Sequence, residues 1–258
     1  METILTIDSQ YNGAIGVANG GYSCGVVAAF IEGDAEVRLR AAFPTATPLS
    51  VRSTTDGGVE ALLADDPSKP RLLGSGHPTV VELDIPAPPD YEGARQASED
   101  FIFLHRIDPQ GCYVCSPIRP PGEGLRLFIG ALPGIGEKAI GENLAAAIWR
   151  PTSKLANAEG HIDPVYIWSA LDCPGVTALK LRYPASGVLV LGSCAASIKD
   201  TLSASEHFIV SAWEIAPWQG NKRFMGVAIH STTGKLMACA RQVCFDVGNA
   251  VPGLSTTA

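Results

Sequence analysis

Residues 19–33, NGGYSCGVVAAFIEG, form an apolar segment with a polar start and a glycine stop. Asn19 is of the type that accepts hydrogen bonds from the first N–H groups of a helix, and Gly33 is typical of a helix end. The stretch between them is long and apolar enough for a buried helix. Its glycines favour close packing of neighbouring chain against that helix.

Short β-like runs surround this helix. Residues 3–7 predict an opening strand, and Asp56-Gly57-Gly58 is a strong hairpin signal between two later runs. The runs that come after the helix are 36–43, 49–55, 59–65 and 71–76. One apolar helix followed by antiparallel strands indicates an α+β unit in which the sheet covers the helix.

The same order recurs downstream, starting at residues 161–175, HIDPVYIWSALDCPG. Asp163 is the predicted N-cap of a second helix, with Pro164 at its first position. The strands predicted after it are 187–194, 207–215, 224–230 and 235–245. We therefore divide the chain into a first repeat (1–81), a turn-rich linker with room for a short helix (82–111) and a second repeat (112–258).

The amino-acid composition argues against several classes of protein. The 258 residues are 46% hydrophobic and 17% charged, which argues against a disordered chain or a coiled coil. The net charge of -7 argues against a general nucleic-acid binder. The N-terminus does not resemble a signal peptide, and no apolar run approaches the roughly 18 residues of a membrane span. We expect a cytoplasmic protein with no membrane or nucleic-acid partner.

Four sequence segments, in this order, resemble the hot dog fold of acyl-thioester hydrolases. They are NGGY (19–22), VRLRAAFPTATPLSVRSTTDGG (37–58), CYVCSPIRPPGEGLRL (112–127) and PVYIWSALDCPG (164–175). The repeat makes the chain similar to a fused double hot dog, which implies two antiparallel sheets, each wrapped around one long helix. It also implies acyl-CoA thioesterase activity on a coenzyme A thioester, with no metal or other cofactor.

The resemblance also predicts where the catalytic acid lies. In similar enzymes with a carboxylate on the helix, the acid comes nine positions after the residue that opens the helix motif. Counting nine from Asp163 gives Asp172, whereas counting nine from Asn19 gives Ala28. The first repeat thus keeps the Gly-Gly turn and the second keeps the acid, which predicts one composite site between the repeats.

The chemistry of such a site depends on the start of a helix. Backbone N–H groups of Gly20 and Gly21, or that of Tyr22, would polarise a thioester carbonyl as an oxyanion hole. Asp172 would act as general base or as nucleophile, and Asn19 would position the carbonyl or the water. The plainer interpretation is that Asn19, Gly20 and Gly21 only cap and pack the helix.

Three further residues are candidates for substrate binding: Tyr22, Trp168 and His161. Trp168 precedes Asp172 by one helical turn and would share its face, although core packing explains a tryptophan there equally well. His161 lies just before the second helix, where a surface loop histidine is common. Asp163 is interpreted as a helix cap rather than a catalytic group.

Other site chemistries find little support in the sequence. The seven cysteines are an odd number and do not suggest a disulfide framework. Cys112 and Cys115 form one C-x-x-C without a second pair, so we predict no metal site, and we interpret Cys173 as a small core residue. Phosphate-binding loops and strand-linked dinucleotide fingerprints do not occur in the sequence.

Two other functions stay open beside hydrolysis. One is a non-catalytic acyl-thioester binding module, because the first repeat lacks the acid. The other is a hot dog enzyme with non-hydrolytic chemistry, such as a dehydratase or a polyketide-type tailoring enzyme, since a fold alone does not choose the reaction. Pairing into a homo-oligomer through sheet edges is likewise left open.

Overall fold

The computed structural model describes residues 2–63, 70–104 (side chains up to residue 102) and 111–248. Predicted segments at 64–65, 105–110 and 249–258 lie outside the described residues. The strands are β1 (Glu2–Thr6), β2 (Asn12–Ala14), β3 (Val17–Ala18), β4 (Ala35–Leu39), β5 (Pro48–Ser53), β6 (Val59–Leu63), β7 (Arg71–Pro78), β8 (Gly130–Ala131), β9 (Asn143–Trp149), β10 (Leu189–Ile198), β11 (Phe208–Gln219), β12 (Lys222–Ser231) and β13 (Leu236–Asp246). The helices are α1 (Gly20–Ala28), α2 (Tyr91–Leu104), α3 (Pro164–Ala170) and α4 (Cys173–Arg182).

Among the described residues, eleven strands form one continuous antiparallel sheet, where the sequence predicts two. Its order is β1-β5-β6-β7-β4 from the first repeat and then β10-β13-β12-β11-β9-β8 from the second. The two repeats join through β4 and β10, where Val37 pairs with Cys194. Each of these strands would otherwise expose a row of unpaired N–H and C=O groups at a sheet edge, and their pairing satisfies both rows.

The helices of the repeats are short, whereas one long helix was expected in each. Helix α1 has nine residues and ends well before Gly33. The second predicted helix is divided into α3 and α4, with Leu171 and Asp172 between them. Pro174 lies in the first turn of α4, and proline has no N–H with which to continue α3. The chain therefore starts a new helix at this point instead of stopping.

The predicted linker contains a packed helix of its own. Helix α2 buries Ala94 and Ala97 in a small cluster with Ala146 and Ile148 of β9. Gly130 of β8 faces the Ala97 carbonyl so closely that a Cβ there would lie 1.8 Å from that oxygen. The helix of the linker thus covers the sheet of the second repeat rather than only connecting the repeats.

Helices α1 and α3 pack against each other across the junction of the repeats. Gly21 and Gly25, one turn apart on α1, have no side chain to separate the two backbones. One large hydrophobic core runs through both repeats and includes Val27 of α1 and Ile167 of α3. Among the described residues, no helix has both the length and the apolar character that crossing a bilayer requires.

Candidate active site

The start of α1 and the α3–α4 junction meet at Asp172. Asp172 is only 5% exposed as a residue. Its Oδ2 accepts a hydrogen bond from the Gly21 N–H at 2.8 Å and another from Asn19 Nδ2 at 3.0 Å. The predicted residues Asn19, Gly21 and Asp172, which are up to 153 positions apart, therefore form one hydrogen-bonded group.

Asn19 caps helix α1 and also donates a hydrogen bond to the Asp172 carboxylate. Its Oδ1 accepts from the Tyr22 N–H at 2.9 Å, which is the ordinary role of an N-cap asparagine. Its Nδ2 is thereby turned away from α1 and towards Asp172. The capping interpretation is confirmed, and the same side chain also donates a hydrogen bond to Asp172.

The oxyanion-hole prediction can be narrowed to one of the three candidate amides. The Tyr22 N–H donates a hydrogen bond to Asn19 Oδ1, and the Gly21 N–H donates one to Asp172 Oδ2. Among the described residues, the Gly20 N–H has no acceptor. It lies at the positive end of the α1 dipole, so of the three predicted amides it is the one left to bind an external acceptor.

Two glycines are needed where the helix start approaches Asp172. A Cβ on Gly21 would lie 2.5 Å from the Trp168 carbonyl oxygen and 2.6 Å from Asp172 Cβ. A Cβ on Gly20 would lie 3.1 Å from Asp172 Oδ2 and 3.3 Å from the Leu191 side chain. The Gly-Gly pair thus allows the contact between the helix start and the carboxylate.

The charge of Asp172 is set by opposing effects. Burial raises the pKa of this carboxyl to about 7, while the hydrogen bonds from Gly21 and Asn19 act in the opposite direction. The nearby Cys112 adds to the increase. A carboxyl group with a pKa close to neutrality exchanges protons readily at that pH, which is what general base catalysis requires.

Gln242 on β13 is a site residue that the sequence analysis missed. Its side chain is fully buried, and its Nε2 donates to the carbonyl oxygens of Leu171 and Asp172, the latter at 2.9 Å. These bonds fix the backbone at the α3–α4 junction. The sequence signal for Gln242 is that it follows the exposed Arg241 in a strand, so it faces the interior, where a polar side chain needs a hydrogen-bond partner.

Tyr22 belongs to a cluster of four tyrosines beside the helix start. Its ring stacks on Tyr11 with centroids 4.1 Å apart, and Tyr113 and Tyr166 have ring centroids 6.2 and 6.3 Å from that of Tyr22. Burial raises the pKa of the Tyr22 phenol far above its usual value. The cluster therefore offers neutral aromatic surface next to Asn19 and Gly21.

The remaining two substrate-binding candidates lie in different surroundings. Trp168 is buried in the main core, and its backbone carbonyl faces Gly21 across the helix contact. The backbone of His161 bonds to Asn157 and pairs with Ser203, so the residue belongs to a partly exposed turn before α3. The structure brings Trp168 to the helix contact but does not join His161 to the Asp172 group.

Asp163 has the role that the sequence predicts for it. Its carboxylate accepts from the Val165 N–H at 3.1 Å, as the cap of a helix does. It lies at the opposite end of α3 from Asp172, so the two carboxylates have separate tasks.

Three thiols lie directly beside the carboxylate. Cys173 follows Asp172 in sequence, and its sulfur is 3.7 Å from Cys112 Sγ and 3.7 Å from Asn19 Nδ2. Hydrogen bonds from Cys115 and then Cys173 hold the pKa of the Cys112 thiol well below its usual range. Hydrogen bonding to Cys112 raises the pKa of the Cys173 thiol.

Comparisons with known proteins give a clear result for the fold. No family model and no curated protein matches the sequence. Acyl-CoA thioesterase II TesB2 from Mycobacterium marinum is similar in structure with a TM-score of 0.57, at 14% identity, over 96% of this chain and 94% of that one. A hot dog fold protein of unknown function from Alicyclobacillus acidocaldarius gives a TM-score of 0.58, at 10% identity, over 96% and 94%.

A third similar structure is named for a different reaction. The GphF dehydratase gives a TM-score of 0.60, at 14% identity, over 95% of this chain and 93% of that one. These likenesses cover nearly the whole chain, and they show that it has a double hot dog fold. At such low identity they do not distinguish between the reactions of the neighbours.

Proposed function

We propose that this double hot dog protein is an acyl-CoA thioesterase-like hydrolase, which cleaves an acyl thioester into an acid and a thiol. The observation that carries the proposal is the buried Asp172 carboxylate, fixed by Asn19 and Gly21 at the start of α1. Beside it stands the Gly20 N–H, which has no acceptor among the described residues. A base and an electrophilic donor therefore lie close together at one helix start.

In the proposed reaction, Asp172 accepts a proton from a water molecule as that water attacks the thioester carbonyl carbon. Oδ2 is held by two donors, whereas Oδ1 has no donor among the described residues and is the atom assigned to the water. The Gly20 N–H stabilises the oxyanion that forms. Collapse of the tetrahedral intermediate breaks the C–S bond, and protonated Asp172 returns its proton to the departing thiolate.

If Asp172 acted as the nucleophile, oxygen from solvent water would be incorporated at a different place. Attack by Asp172 itself would form a mixed anhydride, and hydrolysis of that anhydride would carry solvent oxygen into the aspartate side chain in some turnovers. Single turnover in ¹⁸O-labelled water, followed by mass analysis of the Asp172 peptide, separates the two routes. We favour the general base because the two donors fix the carboxylate against α1.

Hydrolysis suits this site better than dehydration. Dehydration removes a proton from one carbon and protonates a hydroxyl leaving group on the next, so it gains from a second acid or base beside the first. Among the described residues, the donors to the Asp172 carboxylate are Asn19 and Gly21, and neither a histidine nor a second carboxyl group joins them. The dehydratase likeness nevertheless keeps this reaction as the alternative that product analysis must exclude.

We place the reaction in the cytoplasm and take coenzyme A as the thiol portion of the substrate. The support is that the cysteine count is odd and that no disulfide joins the described cysteines, which suits a reducing compartment. The tyrosine cluster beside the site adds aromatic surface for the acyl group. Free-thiol release from short, long and aromatic acyl-CoAs therefore measures both the reaction and the acyl preference.

Replacing Asp172 with Asn tests the central residue. The amide keeps the size of the carboxylate but cannot accept the proton, so turnover should fall at least about 100-fold. The matched control is Asp163→Asn, because an asparagine side chain would still cap α3 and should leave turnover unchanged. Full activity in the Asp172 variant would refute the proposal, and ligand binding without turnover in the wild type would indicate the binding module.

Replacing Asn19 with Ser separates capping from positioning in the same assay. Serine keeps a cap acceptor for α1 but loses the Nδ2 donor to Asp172. Since a hydrogen bond to a charged group contributes about 1.5–3 kcal/mol, we expect a fall in kcat of roughly tenfold or more. The melting temperature should stay near that of the wild type, and a parallel loss of both would mean that Asn19 is only a cap.

A further inference from the structure

Three cysteines from two distant parts of the chain meet beside Asp172. Cys112 and Cys115 lie on the turn before Pro117, and Cys173 is the first residue of α4. Their three sulfur atoms all lie within 4.8 Å of one another. Of the three residues, Cys112 is buried and the other two are partly exposed. In the sequence only the C-x-x-C pair is recognisable, because Cys173 is 61 positions from Cys112.

The spacing of the sulfurs matches that of a tetrahedral thiolate site. With metal–sulfur bonds of about 2.3 Å, two ligands of a regular tetrahedron are separated by about 3.8 Å. The Cys112 and Cys173 sulfurs are 3.7 Å apart. Hydrophobic packing alone gives no reason for three sulfurs to converge at this separation, and a disulfide would join only two of them.

The polypeptide around the sulfurs is arranged to support negative charge. The backbone N–H groups of Val114 and Cys115 donate to the Cys112 sulfur, as in a turn that holds a thiolate. Asn19 Nδ2 approaches the Cys173 sulfur at 3.7 Å. Donors of this kind around first ligands orient them towards a metal and stabilise their ionised form.

We propose that Cys112, Cys115 and Cys173 bind one thiophilic divalent cation, for which Zn²⁺ is the probe. Three thiolates leave one tetrahedral position open to solvent or to an external ligand, which distinguishes this site from a closed four-cysteine site. The bound cation would tie the C-x-x-C turn to the first turn of α4, next to Asp172. The inference replaces the expectation of no metal and does not depend on the proposed hydrolysis.

The test is metal content after the full-length protein, kept reduced, is equilibrated with Zn²⁺ and freed of excess metal. We expect about one zinc per chain by elemental analysis, and a higher melting temperature with Zn²⁺ than after chelation. Substitution with Co²⁺ should give thiolate-to-cobalt charge-transfer absorption and the visible bands of tetrahedral cobalt. These measurements are independent of any enzymatic activity.

Cys115→Ser and Cys173→Ser should each lose zinc binding and the charge-transfer absorption, since two thiolates hold Zn²⁺ far less tightly than three. The matched control is Cys239→Ser, which changes a buried cysteine of β13 that lies in a separate cluster and should retain one zinc. Circular dichroism of the metal-free variants checks that they fold. Binding below stoichiometry in the reduced wild type would overturn the proposal, as would full binding in either variant. A Cys112–Cys173 disulfide that persists under the reducing conditions would overturn it too.

Discussion

The Asp172 carboxylate can be changed chemically with little change of shape. Burial makes its charge costly, and Gly21 and Asn19 both point donors at one of its oxygens. An asparagine at this position can present its own oxygen to the same two donors. It also avoids the desolvation of a charge. Loss of turnover in Asp172→Asn would therefore report on chemistry rather than on folding.

A second buried ionisable group, His230 on β12, makes stability depend on pH. It is 4% exposed, its Nδ1 has no partner among the described residues, and burial lowers its pKa below the usual value. The unfolded chain therefore binds a proton at His230 more readily than the folded chain. Stability is unaffected by His230 well above its unfolded pKa of about 6.5 and falls as the pH drops below that value.

Replacing His230 with Gln should make the melting temperature less sensitive to acid. Thermal unfolding is measured in steps from about pH 7.5 to about pH 5, across the unfolded pKa of histidine. The variant should lose less of its melting temperature over this range than the wild type, whatever its stability at the upper end. His207→Gln, at an exposed position, is the control and should keep the wild-type slope. Equal slopes in all three proteins would show that His230 titrates alike in both states.

At the scale of elements, the close contact of α1 with α3 determines the position of the site. Gly21 allows this contact, because a Cβ there would meet the Trp168 carbonyl oxygen, Asp172 Cβ and Ser169 Cα at 2.5, 2.6 and 2.9 Å. Two of these three atoms belong to backbone and cannot rotate away. The two helices would have to move apart to admit even a methyl group.

Gly21→Ala should therefore lower the free energy of unfolding by about 1–3 kcal/mol, as overpacking of a tight contact does. The loss should appear although alanine favours a helix over glycine by roughly 1 kcal/mol. Gly136→Ala is the control, since nothing lies within 4 Å of its added Cβ. Chemical denaturation measures both, and an unchanged free energy of unfolding in the Gly21 variant would mean that α1 and α3 separate to admit a methyl group at no cost.

Local signals in the sequence predicted the elements well, but not the contacts between repeats. The caps at Asn19 and Asp163 are confirmed because an N-cap depends on a side chain and amides two or three residues away. The β4–β10 pairing could not be predicted, since strand edges carry no sequence label for a partner so far along the chain. The same holds for Cys173 and Gln242, whose roles depend on the residues that face them.

The division of α3 from α4 shows a limit of a different kind. The segment predicted as the second helix finishes with Cys-Pro-Gly directly after Asp172, and α3 does end before this proline. Proline also suits the first turn of a helix, so the same residues begin α4. A local signal located the break but did not distinguish a helix from a turn after it. The break is what buries Asp172 between two helices instead of leaving it at an exposed helix end.

For the whole molecule, the continuous sheet and the shared core imply that the two repeats unfold together. The main core contains Leu73 of β7 in the first repeat and Trp149 of β9 in the second. The β4–β10 pair and the bonds from Asn19 and Gly21 to Asp172 also cross between the repeats. Exposing the core of one repeat would therefore expose that of the other.

The four tryptophans, which all lie in the second repeat, allow this coupling to be measured. Leu73→Ala removes a fully buried side chain from the first repeat and should lower stability by about 2–5 kcal/mol. If the repeats unfold together, tryptophan fluorescence should report this loss with the same denaturant midpoint as circular dichroism. Ile4→Ala, at a 64% exposed position of β1, is the control and should leave the midpoint in place. A tryptophan midpoint that stays at the wild-type value in Leu73→Ala would instead show that the second repeat unfolds on its own.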